Sequence, residues 1–417
     1  MGRSRSGTRV VSRSATICTC SNSTGMSPPL ATSALQVPHS RIRELADIAM
    51  TMDGVLRLYF GESNAPTPDY IKQAAARAMA EGYTYYTENA GLPSLRQALA
   101  RHYRWLHGVE LDPAHEIVIT ASGVQALNVA IRCVLDPGDE ALVLTPAWPN
   151  GSAIVRMCNA APVEIPQPFD GRRYGIDLET LRRRLTPRTR LLIYTSPSNP
   201  MGWTATQLEQ RRLLEFCREH QLWLLADEVY ERVWYLGERD GEPAPSILRL
   251  ASREDAVVAV QSFSKAYCMT GWRVGWLVGR RDLAARAAVL NEFIVSHAPS
   301  FAQKAAETAL EEGEAELGRM IGTLRETRDF CAAALRAMPG VAAPEPEGAF
   351  YLFPRIEAAG DSFEFCRRLL LEAKVGLAPG VAFGAGGEGA VRICYASDRQ
   401  VLEEAMDRLE RFLRRGG

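Results

Sequence analysis

A lysine attacks a carbonyl carbon only as the neutral amine, so it must sit where a bound group or a nearby cation lowers its pKa. Lys265 has such a setting in the sequence: Ser262 and Ser264 stand just before it and Arg273 eight residues after. Two hydroxyls and a guanidinium at that spacing suit a phosphate monoester. Taken alone, the segment reads by default as an exposed loop with a stray lysine. Its company changes that reading. Asp227 and Tyr230 follow the apolar run Leu222–Ala226, Asn199 follows Leu191–Thr195, and Trp148 follows Ala141–Leu144. Ser122 and Gly123 follow Glu116–Thr120, and Ser262–Lys265 follow Ala256–Gln261. Five apolar runs thus end in polar or aromatic groups.

Those runs alternate with amphipathic stretches such as Val124–Val134, which predicts an α/β fold with a mainly parallel sheet covered by helices. Ligands of such sheets bind at the carboxyl ends of the strands, where the residues above fall. After Ala302 one long helical pattern runs through Leu310, Leu317 and Leu324 towards Leu335. A strand (Ala349–Phe353), a helix (Phe363–Ala373), a strand (Val391–Tyr395) and a last helix (Val401–Leu413) follow, a smaller α+β domain. The expected division is an N-terminal extension over 1–39, an arm and part of the small domain over 40–70, a large domain over 71–300, and the small domain over 301–417.

Composition narrows the function. The 417 residues are 47% hydrophobic and 23% charged with a net charge of -1, which advertises no nucleic-acid surface. No apolar run reaches the ~20 residues of a membrane span. Nine scattered cysteines read as reduced thiols of a cytoplasmic protein, and six histidines without paired spacing make a metal site a poor reading. Residues 1–43 contain no acid and are rich in Arg, Ser and Thr. They read as a disordered tail in preference to a transit peptide or a myristoylation signal. The Gly384–Gly389 segment satisfies G-x-G-x-x-G, but it precedes a strand and opens no helix, so it reads as a glycine turn.

In combination these motifs resemble the fold-type I pyridoxal-5′-phosphate (PLP) enzymes, class I/II aminotransferases of the aspartate-aminotransferase-like group. The resemblance spans roughly Ser40 to Leu413. Its carriers are S-F-S-K-A-Y-C-M-T-G-W-R-V-G around Lys265, S-P-S-N-P-M-G (Ser196–Gly202), A-D-E-V-Y (Ala226–Tyr230), T-A-S-G-V-Q-A-L (Thr120–Leu127), and P-G-V-A-F-G followed by V-R-I-C-Y-A. It implies that Lys265 holds PLP as a Schiff base and shuttles the α-proton, so that an amino group passes to a 2-oxo acid through a pyridoxamine intermediate. Asp227 would keep the pyridine nitrogen protonated, and Tyr230 and Asn199 would bond the phenolic oxygen. Trp148 would stack on the ring. Ser122, Gly123 and Val124 at a helix N-terminus, with Ser262, Ser264 and Arg273, would hold the phosphate. Arg392 would take the substrate carboxylate, and Gly61 would let backbone approach the substrate. Tyr86 would reach the phosphate of the neighbouring subunit in a homodimer with shared sites; without the resemblance it reads as a buried aromatic.

The sequence departs from the family pattern at Gly61-Glu62-Ser63-Asn64 and Met201-Gly202, positions that bear on substrate choice or arm packing. A PLP-dependent lyase or β/γ-replacement enzyme remains the alternative, since it would use the same residues. Val124 stands where one subgroup has a lysine, and 287–303 lacks Lys and Arg. Uncharged donors are therefore expected over aspartate, unless a cation such as Arg57 enters from elsewhere.

Overall fold

The computed structural model describes residues 29–416; the expectation for the first part of the tail lies outside them. Within 29–39 there is a single helical turn, Thr32–Leu35, with no buried residue. Helix Arg41–Met50 then starts where Ser40 Oγ accepts from the Arg43 backbone N–H at 3.3 Å, a side-chain N-cap. It leads into strand β1 (Leu56–Arg57), which pairs in parallel with Val375–Gly376. The N-terminal segment is in this way stitched to the C-terminal part of the chain.

A seven-stranded sheet forms the centre: β2 (Ile117–Thr120), β3 (Glu140–Thr145), β4 (Ala161–Pro166), β5 (Thr189–Thr195), β6 (Trp223–Asp227), β7 (Val257–Ser262) and β8 (Gly275–Gly279). The order across the sheet is β2-β8-β7-β6-β5-β3-β4. Strands β3 to β7 run parallel, and β8 is antiparallel to both of its neighbours, β2 and β7. The protein is therefore α/β with a mostly parallel sheet, as the alternation predicts. Strands β2, β3, β7 and β8 are buried along their whole length, the mark of a sheet covered on both faces. Helix Gly123–Val134 lies across β7 and β8. Its Ala126, Val129, Ala130 and Ile131 enter a core with Val118, Val258, Val260 and Leu277.

The long helical pattern after Ala302 is two helices, Ser300–Glu312 and Glu314–Arg336. The break falls at Gly313, where a Cβ would collide with the Ala309 carbonyl oxygen and the Tyr267 ring. Ser300–Glu312 packs against the helices Asp69–Ala80 and Pro93–His107. Beyond the break, Val391–Cys394 is the middle of three short antiparallel strands, flanked by Tyr351–Leu352 and Ala378–Pro379. Helix Ser362–Ala373, capped by Asp361, packs on Ala378–Pro379, and Arg399–Arg414 packs on that helix and on Glu314–Arg336. The glycine turn has positive φ at Gly384, Gly386 and Gly389. Glu164 of β4 accepts from the Ala385 N–H at 2.9 Å and holds this turn against the central sheet.

Candidate active site

A cavity of about 480 Å³ opens at the carboxyl ends of β2, β5, β6 and β7. Twelve of the residues selected from sequence line it: Gly61, Ser122, Gly123, Val124, Trp148, Asn199, Asp227, Tyr230, Ser262, Ser264, Lys265 and Arg273. Two do not. Arg392 is fully buried behind the wall, where its Nη1 donates to Asn199 Oδ1 at 2.9 Å and its Nη2 to the Tyr59 carbonyl at 2.6 Å. Tyr86 is 89% exposed, so the reading of a buried aromatic is wrong for this chain; the His297 ring stands perpendicular to it, with centroids 5.5 Å apart.

Lys265 Nζ donates to the Gly61 carbonyl at 2.7 Å, and the Tyr230 ring lies 5.6 Å away. Burial lowers its pKa from the usual 10.5 to about 8; the charges of Arg392 and Arg273 push the same way, against Cys394 and Glu62. Above about pH 8 the amine is mostly neutral and able to attack, and below it the proton blocks attack. In cofactor-free protein, trace acylation of Lys265, followed by peptide mapping, should accelerate through about pH 8 and then level off. A midpoint near the ordinary lysine value would refute this.

Asp227 ends β6 buried, with the Val229 N–H 3.4 Å from its carboxylate. Burial pushes its pKa up to about 6, despite the Val229 N–H and the Lys265 charge. A buried carboxylate is costly without a cation or several donors, and no ion pair reaches Asp227 among the described residues. Arg273, exposed and in left-handed backbone (φ 59), donates to the Thr270 carbonyl at 2.7 Å and meets no carboxylate among the described residues. Arg392 stands among the rings of Tyr351, Phe383 and Trp148, 4.6 to 5.6 Å from its guanidinium carbon, and its Nε has no acceptor. Asp227, Arg273 and Arg392 thus meet no opposite charge among the described residues.

The loop that follows β2 is shaped for an anion. Ser122, with φ 123, turns the chain so that the helix Gly123–Val134 begins at the cavity with free N–H groups. A Cβ on Gly123 would press on Ser262 and Val229 at 3.2 Å, and one on Gly275 would strike the Gly123 nitrogen at 2.5 Å. Two glycines thereby let the strand and the helix start close up. Ser262 Oγ and Ser264 Oγ, 2.9 Å apart, face the same spot.

Several wall residues escaped the sequence reading. Tyr351 bonds the Tyr230 hydroxyl at 2.6 Å, and a Cβ on Gly61 would meet its hydroxyl at 2.6 Å. Only its place in the apolar alternation Ala349–Phe353 pointed to it. Arg43, Phe60, Glu62, Asn150, Thr195 and Thr270 also line the cavity.

The family aminotransferase class I and II matches residues 55–409. The chain belongs to this family. It is 35% identical over 387 residues to an aspartate aminotransferase of Pyrococcus horikoshii, covering 92% of this chain and 97% of the relative. Similarity to an aromatic-amino-acid aminotransferase of Thermococcus litoralis is 34%, over 90% and 96% of the two chains. Among solved structures, an aspartate aminotransferase of Thermotoga maritima superposes with a TM-score of 0.86 at 31% identity, over 92% of this chain and 100% of that one. This aminotransferase is an enzyme of amino-group transfer between amino acids and 2-oxo acids. No helix among its described residues is long and apolar enough to cross a membrane, and no cluster there has the ligands for a metal.

Proposed function

We propose that the aminotransferase works with pyridoxal 5′-phosphate attached through Lys265, in a cytoplasmic homodimer whose two sites are shared. The observation that carries this is the convergence on one cavity of the Lys265 amine, the uncompensated Asp227 carboxylate and the helix start at Gly123. The donor set fits the cofactor group by group. Ser122, Gly123 and Val124 offer N–H groups to the phosphate, with Ser262, Ser264 and Arg273 beside them. Asp227 would hold a proton on the pyridine nitrogen, which supplies the cation its burial demands. Asn199 and Tyr230 would bond the phenolic oxygen, and Trp148 would cover the ring.

When bound, the cofactor supplies a carbon that accepts the amino group and a ring that draws electrons from the substrate α-carbon. The chain's own residues do the rest. Arg392 would grip the substrate carboxylate with its planar fork, and Lys265 Nζ, once free, would move the α-proton. Gly61 keeps the backbone close enough for its carbonyl to orient that amine.

The second subunit enters through Tyr86, whose exposure leaves it free to reach across. Tyr85, Phe293, Ile294 and Val295 are exposed apolar neighbours in the chain of Tyr86 and His297, a surface suited to a second copy. The cysteines described carry no disulfide, as a reducing compartment requires.

The test is a single turnover. Holoenzyme given one amino acid and no acceptor should release at most one 2-oxo acid per site, and continuous product should need an added 2-oxo acid. Steady ammonia release without an acceptor would instead identify the lyase chemistry.

A further inference from the structure

We propose that Tyr351 is a positioning residue: it gives its hydroxyl hydrogen to Tyr230 and so commits the Tyr230 hydrogen to the phenolic oxygen of the cofactor. This rests on the reading of the cavity as a pyridoxal 5′-phosphate site. A phenol has one hydrogen to give and lone pairs to accept with. The Tyr230 and Tyr351 hydroxyl oxygens lie 2.6 Å apart, and geometry alone lets either donate. Neither has another hydrogen bond among the described residues. With the Tyr230 hydrogen turned to Tyr351, Tyr230 would meet the cofactor oxygen with lone pairs alone, acceptor against acceptor. With Tyr351 as donor, both bonds form.

The surroundings favour that direction. Tyr351 is fully buried and lines the cavity, and Tyr230 is nearly as buried. Burial pushes both phenols above their ordinary pKa; the bond they share lowers that of Tyr230 and raises that of Tyr351, the signs expected when Tyr351 donates. Gly61 closes over the Tyr351 hydroxyl, where a Cβ would stand 2.6 Å from it, so residue 61 brings no side-chain acceptor to compete. The Arg392 guanidinium carbon lies 4.6 Å from the centre of the Tyr351 ring and holds its plane. Asp227, Lys265, Arg392 and Cys394 are the titratable groups around the pair, and none of them bonds either hydroxyl among the described residues.

The same strand pair prepares a second donor. Tyr351 stands opposite Cys394 in the antiparallel strands Tyr351–Leu352 and Val391–Cys394, the latter carrying Arg392. Arg392 Nη1 donates to Asn199 Oδ1, which leaves Asn199 its amide N–H groups to give. In both cases a neighbour occupies the accepting side of a cavity residue, and the residue meets the cofactor as a donor. Two donors steady negative charge on the phenolic oxygen, and a proton on the adjoining Lys265 linkage is then held less tightly.

Tyr351→Phe keeps the ring, its packing and its strand, and removes one hydroxyl. Tyr351→Phe, Tyr230→Phe and the double variant, each loaded with pyridoxal 5′-phosphate, would be titrated by visible absorbance beside the parent. The midpoint of the Lys265 linkage should rise by at least about half a pH unit in Tyr351→Phe, roughly a threefold gain in proton affinity, because a hydroxyl that accepts a bond is the better donor. Tyr230→Phe should raise it further. Adding Tyr351→Phe to Tyr230→Phe should then move it little, since the effect runs through the Tyr230 hydroxyl. A midpoint unmoved or lowered in Tyr351→Phe, or equal shifts with and without the Tyr230 hydroxyl, would overturn the proposal. A parent that takes up no pyridoxal 5′-phosphate would instead bring down the reading of the cavity, and the role of Tyr351 with it.

Discussion

The Lys265→Ala enzyme should keep its fold and lose amino transfer by roughly 10⁴-fold, the upper range for a positioned proton-transfer group. The geometry makes the two effects separable. Lys265 has one hydrogen bond to the protein, to the Gly61 carbonyl, and no ion pair, so its removal leaves one acceptor at a cavity open to water. That costs about 1 kcal/mol, small beside a domain's stability. It is also the sole lysine lining the cavity, and Arg43 and Arg273 cannot replace it, because a guanidinium stays protonated. Borohydride reduction of the parent holoenzyme, followed by peptide mapping, should place the label on Lys265. A label on another lysine, or a variant of near-normal turnover, would refute the assignment.

Arg392→Lys should lower kcat/KM by about 10²-fold or more while cofactor content stays that of the parent. Lysine preserves the charge, but a single ammonium cannot span Asn199 Oδ1 and the Tyr59 carbonyl and still present two parallel donors to a carboxylate. Each charge-assisted bond contributes about 1.5–3 kcal/mol, which sets the size of the loss. Cofactor retention should change little because Arg392 bonds only Asn199 among the proposed cofactor residues and leaves Ser122, Gly123, Ser262, Ser264 and Lys265 in place. Cofactor released by alkali and measured by absorbance, alongside kinetics on one good donor, decides the matter. Equal kinetics would remove Arg392 from the substrate site.

The parts of this site written in one local stretch are legible in the amino-acid sequence. Asp227, Asn199, Ser122 and Lys265 each follow an apolar run, and that order alone puts them on one rim of a parallel sheet. Arg43 and Tyr351 arrive from opposite ends of the chain, and nothing within a few residues of either marks the meeting. The burial of Arg392 is equally hidden, since a guanidinium with no acidic partner in an aromatic enclosure goes against the usual exposure of arginine. In the fold, β8 leaves little trace because Gly275–Gly279 has a glycine, a residue depleted in strands, at each end. The single long helix became two because periodicity continues through Gly313 while the backbone does not.

The antiparallel strand β8 has a bearing on how the protein is made. It is the element that joins β2 to β7, so the helix start at Gly123 and the Ser262–Lys265 turn, distant in the chain, become neighbours only once β8 is in place. Such non-local pairing is slow, because chain must be closed into large loops before contacts reward it. The phosphate cradle therefore exists in no early fragment and in no half-built sheet. A nascent chain released before Gly279 would carry the lysine and the helix start without the strand that holds them together. If this cradle holds the cofactor as proposed, its capture would be a late event in folding, and a holoenzyme would be a molecule whose sheet has been finished.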